Sequence, residues 1–228
     1  MKTSLLFSLL LASASLSHAN PEIATIISQE YGVATSVGIL LLQSPPTAVD
    51  PVQWAVYARD PFRPGELVRV ALSAGPSGWA PQPAGGGKLL TRVPASELDF
   101  SRIKFRSSDA LKVAQQSAML AKVNFVTASY QLAANATTGA PEWGLSLDGP
   151  EGNEIGFIVI SAETGAVVHQ QWGSELAGNA PASPSPPRSK GEKAADDVKR
   201  AARNAWEWTG DTGLEVGDFF KRLFKGGK

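Results

Sequence analysis

Few side chains in this 228-residue sequence can do chemistry. It has two histidines and no cysteine, which excludes disulfides, thiolate metal sites and thiol nucleophiles. His18 falls in an N-terminal stretch that reads as a removable signal, so His169, in Val168-His169-Gln170-Gln171-Trp172, is left as the single imidazole. One imidazole cannot build a histidine-rich metal site, and a Ser-His-Asp arrangement would rest on it alone. Such triads are defined by geometry rather than chain order, but no Gly-x-Ser-x-Gly elbow accompanies it. The carboxylates Asp60, Glu66, Asp148, Glu151, Glu154 and Glu163 are scattered, most of them in Gly/Pro-rich turns where solvation is expected. General acid–base work instead needs one carboxyl in a desolvating pocket. No Asp-x-Asp-x-Asp-Gly calcium spacing is present, and Gly85-Gly86-Gly87-Lys88 lacks the phosphate-loop spacing. Asn135-Ala136-Thr137 fits a glycosylation sequon, a three-residue pattern that recurs by chance. The expectation is a non-enzyme with no catalytic residue, metal or cofactor; a hydrolase using His169 is the alternative.

The elements that would hold these residues begin with an address. Lys2, an apolar run from Leu5 to Leu11 and small residues ending Ser17-His18-Ala19 describe a secretory signal peptide cleaved after Ala19. The run is far short of the roughly 20 residues of a membrane span. Residues 1–19 are expected to leave, placing the product in the periplasm or outside the cell. With 21 Lys+Arg against 21 Asp+Glu, the chain lacks the basic excess of a nucleic-acid binder.

Two stretches of the remaining sequence run in parallel. Trp54 opens an apolar strand, a Pro/Gly-rich turn and a second strand ending at Ala74, with Gly78 following. Trp143 opens the same series, ending at Ala162 with Gly165 following, and prolines (Pro51, Pro141) stand shortly before both tryptophans. The offsets are 89, 88 and 87 positions for Trp, Ala and Gly. Pro21–Tyr31 places Ile23, Ile26, Ile27 and Tyr31 at helical spacing, with Asn20 as N-cap. Ser108–Ala121 does so with Leu111, Ala114, Ala118 and Ala121, capped by Ser107 or Ser108. Strands are expected at 36–43 and 123–133, and Asp148–Asn153 reads as a hairpin loop. Trp143, Leu145 and Leu147 alternate with Gly144 and Ser146 as in a half-buried strand, whereas Ile155–Ile160 is apolar throughout and reads as a central strand buried on both faces. Trp54 and Trp143 are expected core anchors, and Trp79 and Trp172, beyond the last strands, are expected to close the sheet ends.

The expected fold is therefore α+β: two tandem helix-strand-strand-strand units with antiparallel sheets. They are followed by a Pro-rich linker and an amphipathic helical tail. The boundaries are 20–80 for the first unit, 81–97 for a connecting loop, 98–177 for the second unit, 178–189 for the linker and 190–228 for the tail.

The second unit resembles a PepSY domain. The resemblance is carried by Ser-Ser-Asp-Ala-Leu-Lys-Val-Ala from Ser107, Pro-Glu-Trp-Gly-Leu-Ser-Leu from Pro141 and Ile-Val-Ile-Ser-Ala-Glu-Thr-Gly-Ala-Val-Val from Ile158. Ala162-Glu163-Thr164-Gly165-Ala166-Val167 is similar to the family's closing Asp-Ala-x-Thr-Gly-x-Val turn, with Ser161 in place of the acidic residue. The first unit departs further, with Ala74-Gly75-Pro76-Ser77-Gly78 at that turn. The resemblance implies an exported, non-catalytic module that binds or inhibits peptidases, its partner an extracytoplasmic protein.

The tail offers a second kind of contact. Glu192–Trp208 reads as a helix with Ala194, Val198, Ala201, Ala202, Ala205 and Trp206 near one face. In Leu214–Lys225, Val216, Phe219, Phe220, Leu223 and Phe224 form an apolar arc, with Lys221, Arg222 and Lys225 on the basic rim. Such a helix suits a membrane surface or a partner's groove, or folds back over an open sheet face.

Overall fold

A computed structural model describes residues 19–83, 90 and 93–173. The expected signal segment up to His18, the linker 178–189 and the tail 190–228, including Val216, Phe219, Phe220, Lys221, Arg222, Leu223, Phe224 and Lys225, lie outside the described residues.

Alternating apolar residues and glycine-containing turns produce eight antiparallel strands. They are β1 (Ile39–Gln43), β2 (Gln53–Arg59), β3 (Leu67–Gly75), β4 (Gly78–Gln82), β5 (Thr127–Ala134), β6 (Pro141–Asp148), β7 (Glu154–Ser161) and β8 (Val167–Trp172). They form one sheet in the order β4-β3-β2-β1-β5-β6-β7-β8. The expectation of separate sheets is thus corrected. The first strand of each half has an unpaired edge, and these two edges satisfy each other: Leu41, Leu42 and Gln43 face Ala133, Leu132 and Gln131. The order is symmetric about this β1–β5 seam.

Each half also carries four strands, not three. β4 hides behind Gly78, Pro81 and a lone Trp79, and β8 behind the polar run His169-Gln170-Gln171. An edge strand needs apolar side chains on one face at most, so both lack the density that marks the inner strands. Trp79 and Trp172 therefore lie within edge strands rather than beyond the last ones. The connecting loop is shortened at its start, since Pro81 and Gln82 belong to β4.

The helices lie on one face. α1 (Ala19–Tyr31) packs against β4 and a 3-10 turn at Phe100–Arg102, and α3 (Ser107–Leu120) against β6 and β7. Ile23 and Ile27 of α1 are fully buried, whereas Tyr31 is exposed, and Asn20 lies inside the helix instead of capping it. A short helix, α2 (Val33–Val37), takes the start of the expected 36–43 strand, with the Thr35 hydroxyl donating to the Tyr31 carbonyl at 2.9 Å. α3 buries Ala110, Ala114 and Ala118, small side chains that let its backbone approach the sheet. Its N-cap is Arg106, whose N–H donates to the Asp109 carboxylate at 3.3 Å; Ser107 sits buried inside the helix. The expected 123–133 strand begins only at Thr127.

Between helices and sheet lies the larger core, containing Trp54, Trp143, Leu42, Leu132, Tyr130 and Ile158 among others. A second apolar cluster lies on the opposite face. β7 contributes Ile158 and Ile160 to the first and Phe157 and Val159 to the second. It is buried on both faces, although it stands next to the β8 edge.

Candidate protein-binding surface

Three places on this sheet concentrate unusual groups: the seam with the turn beside it, the two edges, and the face opposite the helices.

At the seam, Trp54 and Trp143 are both fully buried, with ring centroids 6.0 Å apart. Tyr130 meets each edge-on, at 6.3 Å from Trp54 and 6.4 Å from Trp143, a geometry favoured by the ring quadrupoles. The Trp143 indole N–H donates to the Phe105 carbonyl at 2.9 Å. The N–H groups of Lys104 and Phe105 both donate to the Ala162 carbonyl. These bonds tie the lead-in to α3 onto the end of β7, next to the Ala162–Ala166 turn.

That turn is held by short-range bonds. The Ser161 hydroxyl accepts from the N–H groups of Glu163 (3.3 Å) and Thr164 (3.2 Å). Gly165 adopts φ +73°, and its backbone passes so close to Phe105 that a Cβ would lie 2.3 Å from the ring. Glu163, expected to be solvated, is ion-paired with Arg102.

The edges differ. β4 carries Pro81, which has no N–H to offer a further strand. β8 has neither proline nor charge, and Val167 and Val168 are 40% and 55% exposed. His169, expected just past the last strand, lies within β8 opposite Val159, its ring 6.4 Å from Phe157. Gly156 faces Trp172, whose indole fills the space a Cβ would occupy. Beside β4, an open groove of about 370 Å³ is lined by Glu22, Thr25, Ile26, Ser77 and Trp79.

On the face opposite the helices, Gln43 of β1 pairs directly with Gln131 of β5. Gln43 is 1% exposed, and among the described residues neither of its amide atoms has a hydrogen-bond partner; the same holds for Gln131 Oε1 and Gln171 Oε1. The Arg69 guanidinium lies 5.4 Å above the Tyr57 ring. The sequence signal for this band was Gln43 at the end of apolar β1, Gln131 within β5 and the Gln170-Gln171 pair of β8.

Two carboxylates of β6 resist ionisation. Burial raises the Glu142 pKa above its ordinary 4.5, partly offset by the Asn135 side-chain N–H donating at 3.0 Å. Burial likewise raises Asp148, partly offset by the Thr127 hydroxyl. They stand six residues apart on one strand, about 20 Å at roughly 3.3 Å per residue, too far to act as a hydrolytic pair. Asp99 is held below its usual range by hydrogen bonds from Ser101, as is Glu97 by the Arg59 guanidinium. Among the described residues no three His, Asp or Glu side chains gather as a metal-binding group, and no helix is long and apolar enough to cross a membrane.

The Glu142 environment sets a pH dependence. Because this carboxyl holds its proton more tightly folded than unfolded, its contribution to stability is fullest below about pH 4.5 and declines as pH rises through the elevated folded value. Glu142→Gln, which cannot ionise, is therefore expected to be more stable than the parent at pH 7, the gap closing by about pH 4. Urea melts of both proteins across that range check this; a gap independent of pH would refute it.

Comparison with protein-family models, curated proteins and solved structures returns no match to this chain.

Proposed function

We propose that this protein is an exported, non-catalytic binding module built from two PepSY-like units, and that it captures an extended segment of an extracytoplasmic protein along β8. The duplication is supported by the symmetric strand order, by Trp54 and Trp143 meeting at the centre, and by Leu42 facing Leu132, 90 positions on, across the seam. A glycine at positive φ opens the last hairpin of each half, Gly78 in the first and Gly165 in the second. The Ser161 hydroxyl accepts from the Glu163 and Thr164 N–H groups, so a side-chain acceptor still stands where the family's turn has its acidic residue.

The observation that carries the binding role is the β8 edge, which among the described residues bears no proline, charge or covering element and is interrupted only by a register shift at Val168. Soluble proteins blunt exposed edges with proline, charge, a bulge or a covering element. β4 follows that rule with Pro81, whereas β8 presents Val167 and Val168 instead. An extended peptide added there gains main-chain hydrogen bonds, with side-chain contacts supplying specificity. Peptidases, the partner class the family resemblance suggests, are one source of such a segment.

Val168→Lys tests the reading. The side chain is exposed, so stability should change by no more than about 0.5 kcal/mol, while a charge on the edge opposes strand addition. An envelope protein retained by the immobilised parent should be lost from the variant, and any peptidase inhibition should fall with it. Retention of the same proteins by both, at equal strength, would remove the β8 edge from consideration.

A further inference from the structure

The sheet face opposite the helices is closed to water. Leu41, Ala55, Tyr57, Ala71, Ala133 and Val159 are each 2% exposed or less. One face of a single sheet reaches such burial only under a second layer. Among the described residues, Leu90 is the only member of this cluster from outside the strands. The stretch before it, Ala84-Gly85-Gly86-Gly87-Lys88-Leu89, has Leu89 as its one large apolar side chain, too little apolar surface to cover a face five strands wide.

We propose that residues 192–208 of the same chain dock across this face. Their apolar stripe, Ala194, Val198, Ala201, Ala202, Ala205 and Trp206, is mostly small. The sheet residues it would meet include Ala55, Ala71, Ala133 and Gly144, so the two backbones can approach closely. Seventeen helical residues span about 25 Å. The five strand spacings from β3 to β7, at about 4.8 Å each, give about 24 Å. The described chain leaves the sheet at Gly173, beside β7. The 18 residues from there to Glu192 include Pro181, Pro184, Pro186 and Pro187; at about 3 Å each when extended they reach any point on the face. This docking is independent of peptide capture at β8, because it uses a face rather than an edge.

The test compares the full chain with its Val198→Asp/Ala202→Asp double variant. Two carboxylates placed against an apolar layer should lower the melting temperature by about 5–10 °C and let the protein bind an apolar fluorescent dye, with both proteins monomeric. A chain ending at residue 189 should show the same exposed face, and a synthetic peptide of residues 190–210 should reverse its dye binding. If that chain does not fold, the double variant decides alone. Unchanged melting and dye binding in the double variant overturn the proposal. So does a full chain whose melting temperature rises with protein concentration, which would make a second copy the covering layer. Loss of pelleting with phosphatidylglycerol vesicles, without any change in melting, would also overturn it, by assigning the stripe to a membrane surface.

Discussion

Trp143→Ala should destabilise the protein by about 3–5 kcal/mol, the range for removing a large aromatic from a core. Total stabilities of domains are only about 5–15 kcal/mol, so this change brings the fold near its limit. Two losses combine. The ring is fully buried against Trp54 and Tyr130, and its N–H holds the Phe105 carbonyl at the entry to α3. Trp143→Phe separates them, since it keeps a ring but leaves the carbonyl unpaired, at a cost of about 1–3 kcal/mol. Urea unfolding with an unchanged slope and a lowered midpoint is the expected signature for both. A loss below about 1 kcal/mol for Trp143→Ala would show that the seam is not where the two halves are held.

Gly165→Ala should cost about 3 kcal/mol. The left-handed backbone alone accounts for about 1–2 kcal/mol, because Gly165 sits at φ +73°. The remainder comes from Phe105, whose ring lies where the new methyl group would go. Phe105 cannot simply step aside, as its N–H bonds to Ala162 and its carbonyl accepts from Trp143. Gly152 supplies the control: its φ is +76°, with nothing within 4 Å of the point where a Cβ would stand, so Gly152→Ala should show the backbone cost alone. Equal losses at the two positions would mean that Phe105 yields freely and that the turn does not clamp the α3 lead-in.

The residues differ in how much of this arrangement they disclose. Trp143-Gly144-Leu145-Ser146-Leu147 alternates plainly, and the loop Asp148–Asn153 announces its hairpin, so β6 and β7 are legible to within a residue or two. Ile23 and Ile27 likewise give away the buried side of α1. β4 and β8 were not legible, because an edge strand is defined by the neighbour it pairs with and not by its own hydrophobicity. The continuity of the sheet was hidden for a related reason. Nothing in Leu40-Leu41-Leu42-Gln43 distinguishes pairing with β5, almost 90 residues away, from exposure at an edge. The α3 cap was missed because Asp109 reaches back to the Arg106 N–H, leaving the neighbouring serines no such task. Of the candidate surface, His169 drew notice for its chemistry, but the exposure of Val167 and Val168 mattered only once β8 existed to carry them.

The pairing of β1 with β5 has a kinetic corollary. Were the two halves separate molecules, closing those edges would be a second-order event, slower and weaker with every dilution. Carried on one polypeptide, the same closure is unimolecular, so it does not weaken on dilution. A protein working where it is scarce would thus keep its central ladder shut at abundances that would leave a two-chain version apart.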